Sequence, residues 1–300
     1  MSFSATDAAF EGFRIVRRNP LSILAWTLAY LIVAIASLVA SGQMMQSMLS
    51  MQALMETMEA TPPTTIEGYA PLFQAYGEMM SGMLWVVPVS LIVNAVLAAA
   101  VARAVLRPGD KAFGYISLGM DEVRVFVVNL VVSLVLGLAS FGSFLLATIV
   151  GGAAVALIGG LGVLVTVIGM LAAAAFFIWL CVRWSLAVPI TFAERRLAFF
   201  DSFALTRGRF WPLLGMAVIA FVMGLLILLL CGIVAMPLSL MTGAGVMGAD
   251  PGDAEALARM FDLTNPWVIA SAVVNAVSYA LMLGILYAPF SVAYRDIKAG

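Results

Sequence analysis

The sequence predicts an all-α polytopic membrane protein with six transmembrane helices in three hairpins, and three observations carry this prediction. First, 64% of the 300 residues are hydrophobic and only 10% are charged, whereas a soluble domain carries about 25% charged residues. Second, several uncharged runs reach the roughly 20 residues that cross a hydrocarbon core about 30 Å thick. Third, nearly all basic residues fall on one side of the boundaries that these runs define.

The uncharged runs divide into six predicted spans. Residues 125–182 need a separate argument, because they form one uncharged block of 58 residues. As a single straight helix this block would measure roughly 87 Å, so it must fold back. The glycines of GGAAVALIGGLG, at 151–162, are expected to supply the turn. The predicted spans are 21–41, 83–105, 125–149, 161–182, 212–240 and 267–292.

The distribution of basic residues predicts the orientation of the chain. Fourteen of the fifteen Lys and Arg residues flank the spans on one side, and only Arg259 lies on the other. The positive-inside rule makes the first side cytoplasmic, with both termini inside. The two predicted outer loops, 42–82 and 241–265, carry a summed charge of −7. We therefore expect a multi-pass protein of the bacterial inner membrane.

A short amphipathic segment on the cytoplasmic side is predicted before each hairpin. The first has a polar face opposite an apolar one. In the second, four apolar residues lie on one face before Arg124, and the third is rich in phenylalanine. Such helices lie in the headgroup layer. Each helix with its hairpin defines an approximate repeat unit within a single integral membrane domain, at 1–105, 106–183 and 184–300. The residues concerned are Asp7, Glu11, Arg14 and Arg18 opposite Phe10, Phe13 and Val16; Phe113, Ile116, Met120 and Val123; and Phe199, Phe200 and Phe203.

Boundary and span residues divide into two predicted kinds of contact. Basic and aromatic residues at the cytoplasmic boundary are expected to contact lipid headgroups. These are Arg14, Arg17, Arg18, Arg124, Arg183, Arg207, Arg209, Trp184 and Trp211. Small residues every fourth position, and amides inside spans, are expected to pack against other helices. These are Ala272, Ala276, Ala280, Gly284 and Ala288, with Asn94, Asn129 and Asn275.

Six methionines occur in the seventeen residues QMMQSMLSMQALMETME at 43–59. On a helix turning about 100° per residue, five of them form one stripe. These are Met44, Met48, Met51, Met55 and Met58. Thioethers select Cu(I), so a soft-metal site is a minor alternative. The preferred interpretation is a packing face, since no histidine accompanies the methionines. The segment either extends the first span or bends at Gly42.

Catalytic signatures are missing from the sequence. The chain has no histidine, which removes the commonest general base and metal ligand. None of the six predicted spans has an ionisable residue well inside it, and such residues usually mark ion-coupled or catalytic sites in membranes. No phosphate-binding glycine loop or paired-cysteine metal motif is present. We therefore expect no enzyme activity and no cofactor. We also expect no nucleic-acid partner, because the basic residues are spread along a membrane boundary.

The block RWSLAVPITFAERRLAFFDSFALTRGRFWPLL, at 183–214, and the ending APFSVAYRDIKAG carry a family resemblance. The block has Arg183, Trp184, Pro189, Glu194 and Ser202, with a T-R-G-R-F-W segment from Thr206 to Trp211. The ending adds Pro289, Tyr294, Arg295 and Asp296. This pattern resembles bacterial membrane proteins related to the membrane domain of glycerophosphodiester phosphodiesterases. The resemblance implies a non-catalytic membrane module, and no active-site residue is carried over. The six predicted spans leave no room for the soluble catalytic barrel of the fused proteins.

The expected function is therefore that of a non-enzymatic inner-membrane protein acting through lipid or protein contacts. Membrane homeostasis, a scaffold role and handling of a lipid-like substrate all fit this class. Its partners are membrane lipids and a protein partner or second copy of the chain. The alternative is a carrier or channel for a small apolar or zwitterionic solute, supported by Pro88, Pro289 and the span asparagines.

Overall fold

The protein is helical throughout the part that the computed structural model describes, which comprises residues 4–63, 65–110, 113–242 and 261–299, without the side chains of residues 82 and 83. Helices make up 88% of the structure, and no strand occurs in these ranges. Six helices are long and apolar enough to cross a membrane. The predicted all-α, multi-pass class is confirmed. The helices are α1 Ala5–Arg18, α2 Pro20–Ala60, α3 Ala70–Leu106, α4 Met120–Ile158, α5 Leu161–Trp184, α6 Ala187–Glu194, α7 Asp201–Leu205, α8 Phe210–Met241 and α9 Pro266–Ala299.

The helices that contain the first two predicted spans are much longer than those spans. Helix α2 has 41 residues and measures roughly 62 Å, about twice the thickness of a hydrocarbon core. It continues through Gly42 and the methionine stripe to Ala60, and α3 already begins at Ala70. Of the two predicted alternatives for the methionine-rich segment, the structure shows extension of the first span as a helix, without a break at Gly42. Residues 43–60 are mostly strong helix formers, and the helix ends just before Pro62 and Pro63, which cannot continue it. Of the second predicted outer loop, residues 243–260 lie outside the described residues.

The turn of the second hairpin uses only the last glycines of the predicted glycine-rich segment. Helix α4 ends at Ile158, and Gly159 adopts a φ of 59° that favours glycine. Gly151 lies within α4, where a side chain would overlap Thr166 of α5. Gly162 likewise packs against the backbone of Ala154 and Val155. The glycines on both sides of the turn therefore allow α4 and α5 to approach each other closely.

The three predicted amphipathic segments have different outcomes. The first is helix α1, in which Ala8, Ala9, Gly12 and Ile15 are buried while the two phenylalanines are exposed. The second was wrong as a helix. A 3-10 turn covers Phe113–Tyr115, and α4 begins only at Met120. Positive φ values at Gly114 and Tyr115 break the helical path there.

The third predicted segment is helical only in part, because Phe199 and Phe200 precede α7 and only Phe203 lies within it. Arg195 adopts a left-handed conformation that ends α6, and α7 begins six residues later at Asp201. Phe200 is 74% exposed, whereas Phe203 packs its ring against Trp179 and Trp184. The phenylalanines therefore do not share one face of a continuous helix.

Contacts within the chain divide it into two compact units. Unit 1 comprises residues 1–18, 95–222 and 284–300, and unit 2 comprises residues 19–94 and 223–283. Counted by sequence range, fourteen of the fifteen basic residues belong to unit 1. The core of unit 1 packs alanines of α3 against Val125 and Phe192.

The small residues predicted as a packing face are buried along α9, namely Ala272, Ala276, Ala280, Gly284 and Ala288.

Candidate functional site

A buried ion pair lies at the end of α3 in unit 1. Arg103 donates to the Glu122 carboxylate, and their side chains are only 7% and 5% exposed. Arg103 also donates to the carbonyl oxygen of Tyr115 at 2.5 Å. The other Glu122 oxygen accepts from the backbone N–H of Gly119 at 2.9 Å, so the carboxylate also caps α4. A buried charge pair of this kind is stable only when its remaining donors and acceptors are also satisfied.

A second charged group surrounds Phe192 in unit 1. Arg107 donates to Asp121 at 3.2 Å and to the carbonyl oxygen of Phe192 at 3.2 Å. Arg124 donates to the other Asp121 oxygen at 2.8 Å. The guanidinium carbons of Arg103 and Arg107 lie 5.3 and 4.7 Å from the Phe192 ring centroid. The sequence analysis missed this cluster, although the spacing of Arg103 and Arg107 on one helix face was a usable signal.

The residues of the motif at 183–211 converge at the junction of α5, α6 and α7. Arg183 donates to Thr206 and to the carbonyl oxygen of Phe203, both at 3.2 Å, and its buried Nε has no partner in the structure. Ser202 donates to the carbonyl oxygen of Arg183 at 2.6 Å. Trp184 donates to the carbonyl oxygen of Phe199 at 3.0 Å. These bonds hold α7 against the end of α5, so this part of the motif is a structural clamp.

The ending motif meets the same region through Glu194. Tyr294 and Lys298, one turn apart on α9, donate to Glu194 at 3.2 and 2.6 Å. The hydrogen bond from Lys298 holds the pKa of Glu194 below its ordinary value of 4.5. The same bond raises the pKa of Lys298 to about 12. Both residues lie beyond the predicted spans and are solvent-accessible, so water screens their attraction.

We expect acid to loosen the end of α9 through this pair. The pKa of Glu194 is lower in the folded chain than in the unfolded chain, so its contribution is present above about pH 4.5 and is lost as the pH falls further. Hydrogen exchange at residues 294–299 should therefore speed up relative to α3 below that pH. The Glu194→Gln variant is the control and should show no such change. Equal acid sensitivity in both proteins would contradict the assignment.

An exposed basic and aromatic surface lies beside the clamp, and we call it the rim. It consists of Phe200, Arg207, Arg209 and Trp211. Phe200 is 74% and Trp211 is 77% exposed. Within the described residues, neither Arg207 nor Arg209 has a carboxylate partner, although Arg209 approaches the carbonyl oxygen of Leu205. The turn at Gly208, with a φ of 77°, separates the two arginines.

Unit 1 also contains a half-open cavity of about 480 Å³. This volume is within the range of small-molecule and cofactor sites, about 300–1,000 Å³. Its lining is mainly apolar, with polar groups contributed by Asn129, Ser133, Trp184, Ser185, Tyr287 and Ser291. Ala217 and Phe221 of α8 complete one wall. Ala217 follows Trp211 by six residues, or about 9 Å along the helix, so the cavity begins close to the rim.

The predicted lipid contacts fall into two groups. Those that pair within the chain include Arg14 and Arg18 with Glu11, Arg124 with Asp121, and Arg183 with Thr206. Those that are exposed and have no carboxylate partner among the described residues are Arg17, Arg207 and Arg209. Trp184 lines the cavity and Trp211 belongs to the rim. Only part of the predicted set is therefore both exposed and without a carboxylate partner among the described residues.

The remaining predicted residues lie elsewhere. Asn94 accepts a hydrogen bond from Tyr30 at 2.8 Å, Asn129 lines the cavity of unit 1, and Asn275 is exposed on α9. The methionine stripe lies on α2, where Met48 and Met55 are about half exposed. Among the described residues, no group of three or more His, Cys, Asp or Glu side chains could hold a metal ion.

No protein-family model, curated protein or solved structure matches this chain.

Proposed function

We propose that this chain is a non-enzymatic protein of the bacterial inner membrane that binds anionic phospholipid through unit 1. The rim contacts the negatively charged headgroup on the cytoplasmic side. The adjoining cavity accommodates an apolar part of the same lipid. The chain then acts in membrane homeostasis, as a scaffold or in the handling of a lipid-like substrate.

The single observation that carries this proposal is the state of the arginines in the rim. Most arginines of unit 1 have a carboxylate or hydroxyl partner within the chain, but Arg207 and Arg209 have no carboxylate partner among the described residues. They flank a glycine turn next to Trp211, which is 77% exposed. Exposed arginine beside exposed tryptophan is typical of a membrane interface, where the indole ring lies at headgroup depth. An anionic phosphate supplies the missing charge partner.

The cavity supports the second part of the proposal. Its apolar walls suit an acyl chain, and Trp184 and Asn129 offer polar contacts within it. A half-open cavity at the end of transmembrane helices also lets an amphiphile enter without leaving the bilayer. The resemblance of the 183–211 motif to a non-catalytic membrane module agrees with a binding role.

The test is lipid retention by the full chain. We expect native mass spectrometry from nanodiscs that contain phosphatidylglycerol and phosphatidylcholine to show retained phosphatidylglycerol. Each basic residue near an anionic surface contributes about 1 kcal/mol. The double variant Arg207→Gln/Arg209→Gln should therefore reduce the preference by about 2 kcal/mol, or roughly 30-fold.

The matched control removes the same charge from arginines that already have partners. Arg14 pairs with Glu11 and Arg295 pairs with Asp296, and both are exposed. The Arg14→Gln/Arg295→Gln variant should retain most of the preference. An equal loss in the two double variants would show that only net charge matters, and would overturn the assignment to the rim.

The carrier alternative is supported by the same half-open cavity. It differs in predicting movement: phospholipid would cross reconstituted bilayers faster in the presence of the protein. Retention without accelerated transfer favours the binding role.

A further inference from the structure

A second cavity lies in unit 2, and all of its lining residues belong to that unit. It has a volume of about 460 Å³ and is half open. Side chains from the middle of α2, the middle of α3 and the first half of α9 line it. These positions fall inside the predicted spans 21–41, 83–105 and 267–292, so the cavity is at membrane depth. None of its lining residues is charged; the polar ones are Tyr30, Ser37, Ser41, Asn94, Ser271, Asn275 and Tyr279.

Some of these polar groups are satisfied within the chain. The Tyr30 hydroxyl donates to the amide oxygen of Asn94 at 2.8 Å, and the Asn94 amide nitrogen donates to the carbonyl oxygen of Ser90 at 2.8 Å. The Asn275 amide nitrogen donates to the carbonyl oxygen of Ser271 at 3.1 Å. These bonds orient the two amides on the cavity wall.

Other polar groups of the cavity lack an intramolecular partner. Within the described residues, the structure gives no hydrogen-bond partner to the amide oxygen of Asn275 or to the hydroxyls of Tyr279 and Ser37. Asn275 and Tyr279 are four residues apart, share one helix face, and are both exposed. An unsatisfied polar group in the hydrocarbon region costs several kcal/mol. These groups therefore call for a hydrogen-bonding occupant at membrane depth.

The chemistry of the walls restricts that occupant. A charged headgroup has no counter-charge here, and burying an unpaired charge at membrane depth is costly. The rings of Tyr30 and Tyr279 lie stacked, with centroids 5.9 Å apart and an interplanar angle of 30°. They offer a flat apolar surface next to hydroxyl and amide groups. The site is also concave, which suits a compact headgroup better than the side of another helix.

We propose that the unit 2 cavity binds an uncharged amphiphile whose head carries hydroxyl or carbonyl groups and whose tail lies in the bilayer. Asn275 and Tyr279 hydrogen-bond the head, and the tyrosine pair packs against its flat or apolar part. Diacylglycerols carry a hydroxyl that can donate to the Asn275 amide oxygen. Isoprenoid quinones offer only carbonyl acceptors, which the Tyr279 hydroxyl and the second amide hydrogen of Asn275 can meet. The site does not depend on the phospholipid site of unit 1, since the two cavities share no residue.

The test uses the full chain in phosphatidylcholine nanodiscs supplied with one of three probes. The probes are dioleoylglycerol, a short-chain ubiquinone and phosphatidylglycerol. Retention is measured by mass spectrometry after washing. We expect dioleoylglycerol or the quinone to be retained, and the probe that is retained identifies the source of the chemistry. The variants Asn275→Leu and Tyr279→Phe should each weaken retention about three- to tenfold, the effect of one or two lost hydrogen bonds.

Two controls keep the test independent of folding and of the unit 1 proposal. Val273 is exposed on the same helix but does not line the cavity, so Val273→Leu should leave retention unchanged. The Asn275→Leu variant should keep its preference for phosphatidylglycerol. The Arg207→Gln/Arg209→Gln variant should retain the neutral probe as well as the wild type does. Equal retention of neutral probes by wild type and Asn275→Leu would overturn the proposal. So would a wild-type dimer that Asn275→Leu dissociates, because a second copy would then satisfy these groups.

Discussion

The Glu122→Gln variant is expected to lose about 3–5 kcal/mol of its free energy of unfolding, because it leaves the Arg103 charge buried without its partner. The guanidinium keeps neutral contacts alone, namely the new amide oxygen, the carbonyl oxygen of Tyr115 and the Phe192 ring. None of these contacts replaces a full negative charge at a site that is about 95% shielded from solvent. Denaturant unfolding of the purified chain in mixed micelles measures the loss.

Two comparisons define the cause of this effect. Arg196, which pairs with Glu194 and Asp201, is about half exposed. Arg196→Gln should therefore lower the free energy of unfolding by about 1 kcal/mol or less. The double variant Arg103→Met/Glu122→Leu removes both buried charges and should recover most of the stability lost by Glu122→Gln. If Glu122→Gln were no worse than Arg196→Gln, burial would not be the source of its importance.

The second large effect is expected for Gly12→Ala in helix α1. A Cβ atom at this position would lie 2.6 Å from Cα of Ile285 and 2.9 Å from the carbonyl oxygen of Gly284. Both are backbone atoms of α9, so no side-chain rotation relieves the overlap. Overpacking of this kind costs about 1–3 kcal/mol. We expect α1 to separate from α9, with faster proteolysis and hydrogen exchange across Ala5–Arg18.

The matched control for Gly12 is Gly137 in helix α4. A Cβ added there meets nothing within 4 Å. Because alanine has a higher helix propensity than glycine, Gly137→Ala should stabilise the chain or leave it unchanged. Gly12→Ala should thus destabilise the chain, whereas Gly137→Ala should not. A shift of the same sign in both would contradict the close approach of α1 and α9.

The sequence predicted some features of the site and missed others for identifiable reasons. Trp184 was predicted as a lipid contact and Asn129 as a helix-packing residue, and the sequence could not show that both line one cavity. Arg183 was expected at the lipid surface, whereas its guanidinium packs against α7. A basic residue at a span boundary can point either way, and only its neighbours in three dimensions decide between lipid and protein.

The predicted amphipathic helix over 113–123 failed for a different reason. Apolar residues there recur at helical spacing, but Gly114 and Tyr115 have left-handed φ values and turn the backbone toward Arg103. The bond between Arg103 and the carbonyl oxygen of Tyr115 stabilises that turn. A tertiary contact with a buried charge therefore overrode the local periodicity.

The sequence by itself determined that this is a multi-pass membrane protein with six apolar helices, because membrane crossing depends on length and composition alone. It also determined the segregation of basic residues and the lack of histidine. Only the tertiary structure decided which arginines are paired, where the helices end and which polar side chains face a cavity. Those properties depend on contacts between residues far apart in the chain, such as Arg103 with Glu122 and Tyr30 with Asn94, which no local pattern encodes.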